Sequence, residues 1–224
     1  MAMRTPANAV PLVPPKPVAK VDNLRVRHSA LVRATHWLTA ASLIALLVSG
    51  VAILLAHPRL YWGETGAIGT PSLIDLPLPF MLTGQSGWGR YLHFLSAWIA
   101  VLTGTVYLVG GVRAHHFEDD LFRPAQPAKY TVVQRVTYAA VVFVLFPLMI
   151  WTGLAMSPAV TSVLPMLVTS MGGQQSARTI HFIVASVIVL FVVGHVAMVA
   201  FAGFSRHVRA MILGGEESAS EVQT

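Results

Sequence analysis

The sequence predicts an all-α integral membrane protein built as a four-transmembrane-helix bundle. Three observations carry that prediction. Of 224 residues, 55% are hydrophobic and only 11% are charged, whereas a soluble domain carries about 25% charge. Four stretches, residues 37–56, 94–112, 136–156 and 182–204, are apolar over about the 20 residues that a helix needs to cross a bilayer. The positive charges alternate in density between the two sides of those stretches.

The elements follow in order. Residues 1–28 are Pro-rich and polar between Ala9 and Lys20, contain no apolar core of a signal peptide, and read as a disordered cytoplasmic tail. The first span is then an uncleaved anchor without a charge. An outer loop, residues 57–87, is rich in Pro and Gly and carries Tyr61 and Trp62, with Trp88 just beyond it. Span two is uncharged and ends near Gly110 and Gly111. A charged inner loop follows, with His115, His116 and the acidic run Glu118, Asp119, Asp120. Span three contains Pro147, which should kink it. Residues 157–176 are apolar but broken by Pro158, Pro165, Gly172 and Gly173, and are expected to lie along the interface. In span four the single ionisable group is His195, and a short polar tail follows. The expected division is a tail over 1–28, one membrane domain over 29–210 and a second cytoplasmic tail over 211–224.

The net charge of +6 invites a nucleic-acid reading, but its distribution argues otherwise. Twelve of the 15 Lys and Arg residues precede span one, lie between spans two and three, or follow span four. Only Arg59, Arg90 and Arg178 are on the other side. That bias puts both termini in the cytoplasm, and no nucleic-acid partner is expected. The chain has no cysteine. Disulfides, thiolate-ligated clusters and covalent haem attachment are therefore excluded, and nitrogen or oxygen ligands must hold any cofactor.

Four histidines, His36, His93, His181 and His195, sit within or at the head of the apolar stretches, where ionisable groups are costly and by default functional. His181 and His195 are 14 residues apart on one helix. That spacing returns to nearly the same face and separates them by ~21 Å along the axis. With the amino terminus inside, His36 and His195 lie near the inner surface and His93 and His181 near the outer one. Each pair joins two helices at one level, as two axial ligands of a haem must. The expected content is two non-covalent, bis-histidine haems b.

Arg33, Arg90 and Arg178 each precede one of these histidines by three residues, on the side nearer water. Residues at i and i+3 share a helix face, and guanidinium suits a propionate. Gly104 and Gly194 would admit a porphyrin plane or serve helix packing. His28, His57, His115, His116 and His207 lie at or beyond helix ends, where a solvated histidine needs no further role. Trp37 and Trp62 read as interface anchors, and the nine Met residues as packing. From the residues alone, a histidine-lined transporter or proton relay stays open beside the cytochrome reading.

The segment from Arg27 to Trp37, Arg-His-Ser-Ala-Leu-Val-Arg-Ala-Thr-His-Trp, resembles the first helix of the bacterial cytochrome b561 and nickel–iron hydrogenase b-type cytochrome family. Arg90-Tyr91-Leu92-His93 and the His181/His195 pair are similar too, and the resemblance covers about residues 25 to 210. It implies a membrane cytochrome with two haems b that exchanges electrons with quinone, often as the membrane subunit of a periplasmic redox enzyme. Residues 57–63 resemble the subgroup associated with molybdopterin oxidoreductases, including thiosulfate-reductase-like cytochromes. The fifth span of typical hydrogenase cytochromes is missing. The reading is electron transfer between quinone or quinol and an external, periplasmic redox protein. A stand-alone quinol–superoxide oxidoreductase is the alternative that keeps the haems. The aromatic outer loop is expected to dock the partner near His93 and His181, and quinone is expected to react near His36 and His195. His28, His115 and His116 would exchange protons there.

Overall fold

The computed structural model describes residues 29–65, 70–78, 86–115, 117 and 131–214. The Pro-rich tail, His28, His116, the acidic run at 118–120, the outer-loop residues 66–69 and 79–85, and the tail beyond Gly214 lie outside the described residues.

Four rods are long and apolar enough to cross a membrane. The first is α1 (Ala30–Ala56), which Ser29 caps by accepting a hydrogen bond from the Val32 N–H at 3.3 Å. The second is α2 (Ser86–Arg113). The third joins α3 (Val132–Ala140) to α4 (Phe146–Ala155) through a π-helical turn at Val141–Leu145. A capping box between Thr131 and Gln134 starts it. Pro147 follows that turn directly, and the wider turn takes up the carbonyl mismatch of a proline inside a helix. The fourth rod is α7 (Gln174–Phe201).

The packing of these rods is inverted relative to a water-soluble bundle. Their large apolar side chains face outward: Leu38, Ile44, Val51, Leu102, Val144 and Leu190 are all exposed. Small and hydroxylated residues are inside, among them Thr35, Ser42, Ser49, Ser96, Thr103, Thr152 and Thr179. Helices in lipid gain nothing by hiding leucine from lipid, so close approach over small residues holds them together. Gly89 lies at such a crossing, where an added Cβ would stand 3.3 Å from the Ala52 Cβ. The rods pack as two hairpins, α1 on α2 and α4 on α7.

Short elements close the end of the bundle where α1 finishes and α7 begins. Strands β1 (Arg59–Leu60) and β2 (Ile74–Asp75) pair antiparallel. The ion pair between Arg59 Nε and Asp75 Oδ2, 3.2 Å and largely exposed, adds little to that ladder. Residues 157–173 form α5 (Pro158–Thr161) and α6 (Met166–Thr169), with Val163 and Met166 exposed. The start of the outer loop is bound tightly to the head of α7. The Gly63 carbonyl accepts the N–H groups of Gln175 (3.0 Å) and Ser176 (3.3 Å). The Gly63 N–H donates to Ser176 Oγ at 2.7 Å, and Thr179 Oγ1 donates to the Tyr61 carbonyl at 2.6 Å. The orphan donors of a helix N-terminus thus find partners in a loop more than 110 residues earlier.

The segment after span four differs from the expected polar tail. α7 ends at Phe201, Gly203 takes a left-handed conformation, and a separate helix α8 (Phe204–Leu213) follows. It folds back on the start of α1. Trp37 Nε1 donates to the Met211 carbonyl at 3.1 Å, and Arg33 Nη1 donates to the Ile212 carbonyl at 3.2 Å. A guanidinium at the carbonyl end of a helix satisfies unpaired acceptors and suits the negative end of its dipole. Trp37, expected as an interface anchor, is thereby also a tether between α1 and α8.

Candidate functional site

The four span histidines meet in two pairs. His93 on α2 and His181 on α7 have ring centroids 6.2 Å apart. His36 on α1 and His195 on α7 have ring centroids 6.4 Å apart. Two metal–nitrogen bonds of about 2 Å, extended by the imidazole ring at each end, put facing centroids about 6 Å apart. Both spacings fit one ion between two rings. Among the described residues no group of three or more His, Cys, Asp or Glu side chains could hold a metal. Among the described residues a bare ion would find only the two histidines at either level. A metal that carries four in-plane nitrogens of its own needs only the two axial ones, which is the chemistry of a haem.

The outer pair is held by hydroxyls. Ser49 Oγ, fully buried on α1, lies 3.0 Å from His93 Nδ1, and it donates to the Ala45 carbonyl at 2.7 Å. Thr152 Oγ1, fully buried on α4, lies 2.9 Å from His181 Nδ1, and it donates to the Leu148 carbonyl at 2.9 Å. Each hydroxyl spends its proton on a backbone carbonyl, so its oxygen is free to accept from the imidazole. Nδ1 then carries the proton on both rings, and Nε2 keeps its lone pair for a metal.

The glycine after each hydroxyl lies against the same ring. A Cβ on Gly50 would stand 3.7 Å from His93 Cε1, and one on Gly153 would stand 3.6 Å from His181 Cε1. A hydroxyl–glycine pair on one helix and an Arg-x-x-His on the next therefore occur in both hairpins, and the second copy is the spatial counterpart of the first. The sequence reading missed Ser49 and Thr152, although that repeated pattern was available to find them.

The inner pair is built differently. His36 is exposed and meets Trp37 edge-on at 5.3 Å. His195 stacks on Phe191 at 5.9 Å, which in turn meets Tyr138 edge-on at 6.2 Å. His195 Nδ1 is buried without a hydrogen-bond partner among the described residues. An open groove of ≈ 490 Å³ between α1 and α8 is lined by Ala30, Arg33, Ala34, Trp37, Met211 and Ile212. A Cβ at Gly104 or Gly194 meets nothing within 4 Å, so neither glycine is explained by helix packing.

Arg90 and Arg178 both lie near His57, while Arg33 is at the other end of α1. Arg33 reaches α8, as above, and its buried Nε has no partner among the described residues. Arg178 donates from Nη2 to the His57 carbonyl. Arg90 is exposed at the head of α2. His57, at the end of α1, has its pKa lowered by burial first and then by the charges of Arg178 and Arg90. A lowered histidine pKa means that the unfolded chain binds the proton more readily. Stability should therefore fall as pH drops below about 6.5 and level off below the folded-state pKa. In His57→Gln, thermal unfolding in detergent should lose that share of the acid sensitivity. An unchanged pH profile would remove His57 from the account. His115 takes a positive φ of 53° past the end of α2, and His207 Nδ1 lies 2.9 Å from the Gly203 carbonyl on α8.

The family model of prokaryotic cytochrome b561 matches residues 27–214. A protein of Azospira oryzae, named as the protein-methionine-sulfoxide reductase subunit YedZ1, is 29% identical over 211 residues, covering 84% of this chain and 96% of the relative. No solved structure matches the chain.

Proposed function

The chain belongs to the prokaryotic cytochrome b561 family, and from that premise we propose that it is a di-haem subunit passing electrons between the quinone pool and an external oxidoreductase. As a family member it is a multi-pass membrane b-type cytochrome that serves electron transport. The observation that carries the finer reading is the pair of histidine pairs, with centroid spacings of 6.2 and 6.4 Å. In this reading His93 and His181 hold the outer haem, and His36 and His195 hold the inner one. A haem so held supplies a one-electron couple with no open iron position, which suits electron transfer and not oxygen chemistry.

The partner class rests on the relative, whose name makes it a subunit of a reductase of oxidised methionine in proteins. A periplasmic oxidoreductase of the molybdopterin type fits that role, with the chain in the bacterial inner membrane and both termini cytoplasmic. It would dock at the outer end, where residues 57–63 bind the head of α7 close to His181. Quinone would react at the groove beside His36, where Trp37 offers a flat apolar wall. The test is a pyridine haemochrome assay with protein quantitation on the purified chain. About two haems b per chain are expected, one for each pair. One haem, or none, would overturn the reading.

Arg33, Arg90 and Arg178 are proposed to hold propionates and to set the potentials. Replacing Arg178 by Gln should lower the midpoint of the outer haem by roughly tens of millivolts, because a nearby positive charge favours the reduced, less positive iron. Arg33→Gln should act on the inner haem, and Arg90→Gln more weakly on the outer one, since solvent screens an exposed charge. Redox titrations that leave both midpoints unmoved in all three variants would refute the assignment.

A further inference from the structure

Ser49 and Thr152 belong to neither the packing of lipid-facing residues nor the proposed ligand set, yet both are completely buried and each touches one imidazole. Other hydroxyls in these spans, such as Thr35, Thr105 and Ser186, donate to backbone carbonyls three or four residues back. Ser49 and Thr152 keep that bond and also meet a histidine from the next helix of their own hairpin. The two contacts, 3.0 and 2.9 Å, occupy equivalent places in the two hairpins. The inner pair has no counterpart: His195 Nδ1 is buried without a partner among the described residues.

We propose that Ser49 and Thr152 are positioning residues that fix the Nδ1–H tautomer and ring orientation of His93 and His181 and lower the potential of the outer haem alone. This inference rests on the reading that those histidines hold a haem. The physical chain is short. A hydroxyl oxygen that accepts from Nδ1–H makes the opposite nitrogen a better electron donor. A better donor stabilises the more positive, oxidised iron, and the midpoint falls. The hydroxyl also blocks rotation of the ring, because a turned imidazole would leave a buried N–H and a buried oxygen unpaired.

The experiment is a redox titration of the full-length chain in detergent, with haem content and the low-temperature EPR spectrum of the oxidised form measured on each sample. Thr152→Val and Ser49→Ala remove one acceptor each, and Thr152→Ser restores it. In Thr152→Val and in Ser49→Ala the ferrous-to-ferric ratio of the outer haem at fixed poise should rise about threefold to tenfold, the size of one hydrogen bond. The EPR signal of that haem should move and the inner haem should stay unchanged. Thr152→Ser should match the wild type. If Thr152→Val loses the outer haem while Thr152→Ser retains it, the positioning role also stands. Midpoints and spectra unmoved in both deletions, or a shift in Thr152→Ser as large as in Thr152→Val, would overturn it. Failure of the underlying reading looks different, because the wild type itself would then lack the haem that His181→Ala should remove.

Discussion

Replacing His181 by Ala should halve the haem content of the purified chain, from about two per chain to about one, and leave a spectrum belonging to the inner haem. His195→Ala should do the reverse. The effect is large because in this reading two histidine nitrogens would ligate each haem iron, and His181→Ala would leave the iron at that level with His93 alone. His93 would have no substitute to pair with, since no third metal-ligating side chain joins it among the described residues. The two losses should be independent, because the pairs lie about 21 Å apart along α7 and share only that helix. Difference spectra and the haemochrome ratio of both variants decide the matter. Two variants that each remove the same component, or neither, would show that the pairs are not two separate sites.

Gly173→Ala should be the most damaging single-methyl substitution in the outer end. Gly173 has a φ of +118°, and a Cβ there would stand 2.4 Å from the Gly63 carbonyl carbon and oxygen and 2.7 Å from the Glu64 nitrogen. Those atoms are backbone and cannot swing aside. The loop would have to leave the head of α7, taking with it the hydrogen bonds from Gly63 to Gln175 and Ser176. A loss of about 3 kcal/mol is expected from strain and overpacking together. The neighbouring Gly172→Ala separates the two causes. Its φ is +77°, but an added Cβ meets only Ser176 Oγ at 3.7 Å. Conformational strain alone, about 1–2 kcal/mol, should remain. Thermal unfolding in detergent, followed by haem release, should rank them with Gly173→Ala well below Gly172→Ala. Equal midpoints would mean that the contact with Gly63 does not hold the loop.

The four spans are legible in the sequence because lipid demands long uncharged runs, and such runs need no partner to be recognised. The two histidine pairs are within reach for a related reason. Depth along a helix follows from residue number, and alternate helices run in opposite directions. What could not be read was whatever depended on a distant partner. α8 is ten residues long, and Arg206, His207 and Arg209 give it the polarity of a tail. Only its return to Trp37 and Arg33 identifies it. The i, i+3 offset of Arg33 from His36 was visible, but the carbonyl of Ile212 that its guanidinium meets was not. Ser49-Gly50 and Thr152-Gly153 form a repeat that the sequence does show, but the rotation of one helix against the next decides which hydroxyl faces a ring. The loop from His57 to Gly87 was read as a docking surface, and its start, His57 to Gly63, bears on that reading. Its backbone instead completes the head of α7, so part of that surface is structural.

The spacing of His181 and His195 on one straight helix has an energetic consequence. A charge that moves ~21 Å along the normal of a hydrocarbon layer ~30 Å thick crosses about two thirds of the voltage drop. At about 2.3 kcal/mol per charge per 100 mV across the full drop, each electron passed between the two levels exchanges roughly 1.6 kcal/mol with the membrane per 100 mV. With the inside negative, outward transfer is driven and inward transfer is opposed. The same pair of midpoints would therefore give different rates in an energised vesicle and in detergent. The chain would work as a current path whose preferred direction is set partly by the cell's own field.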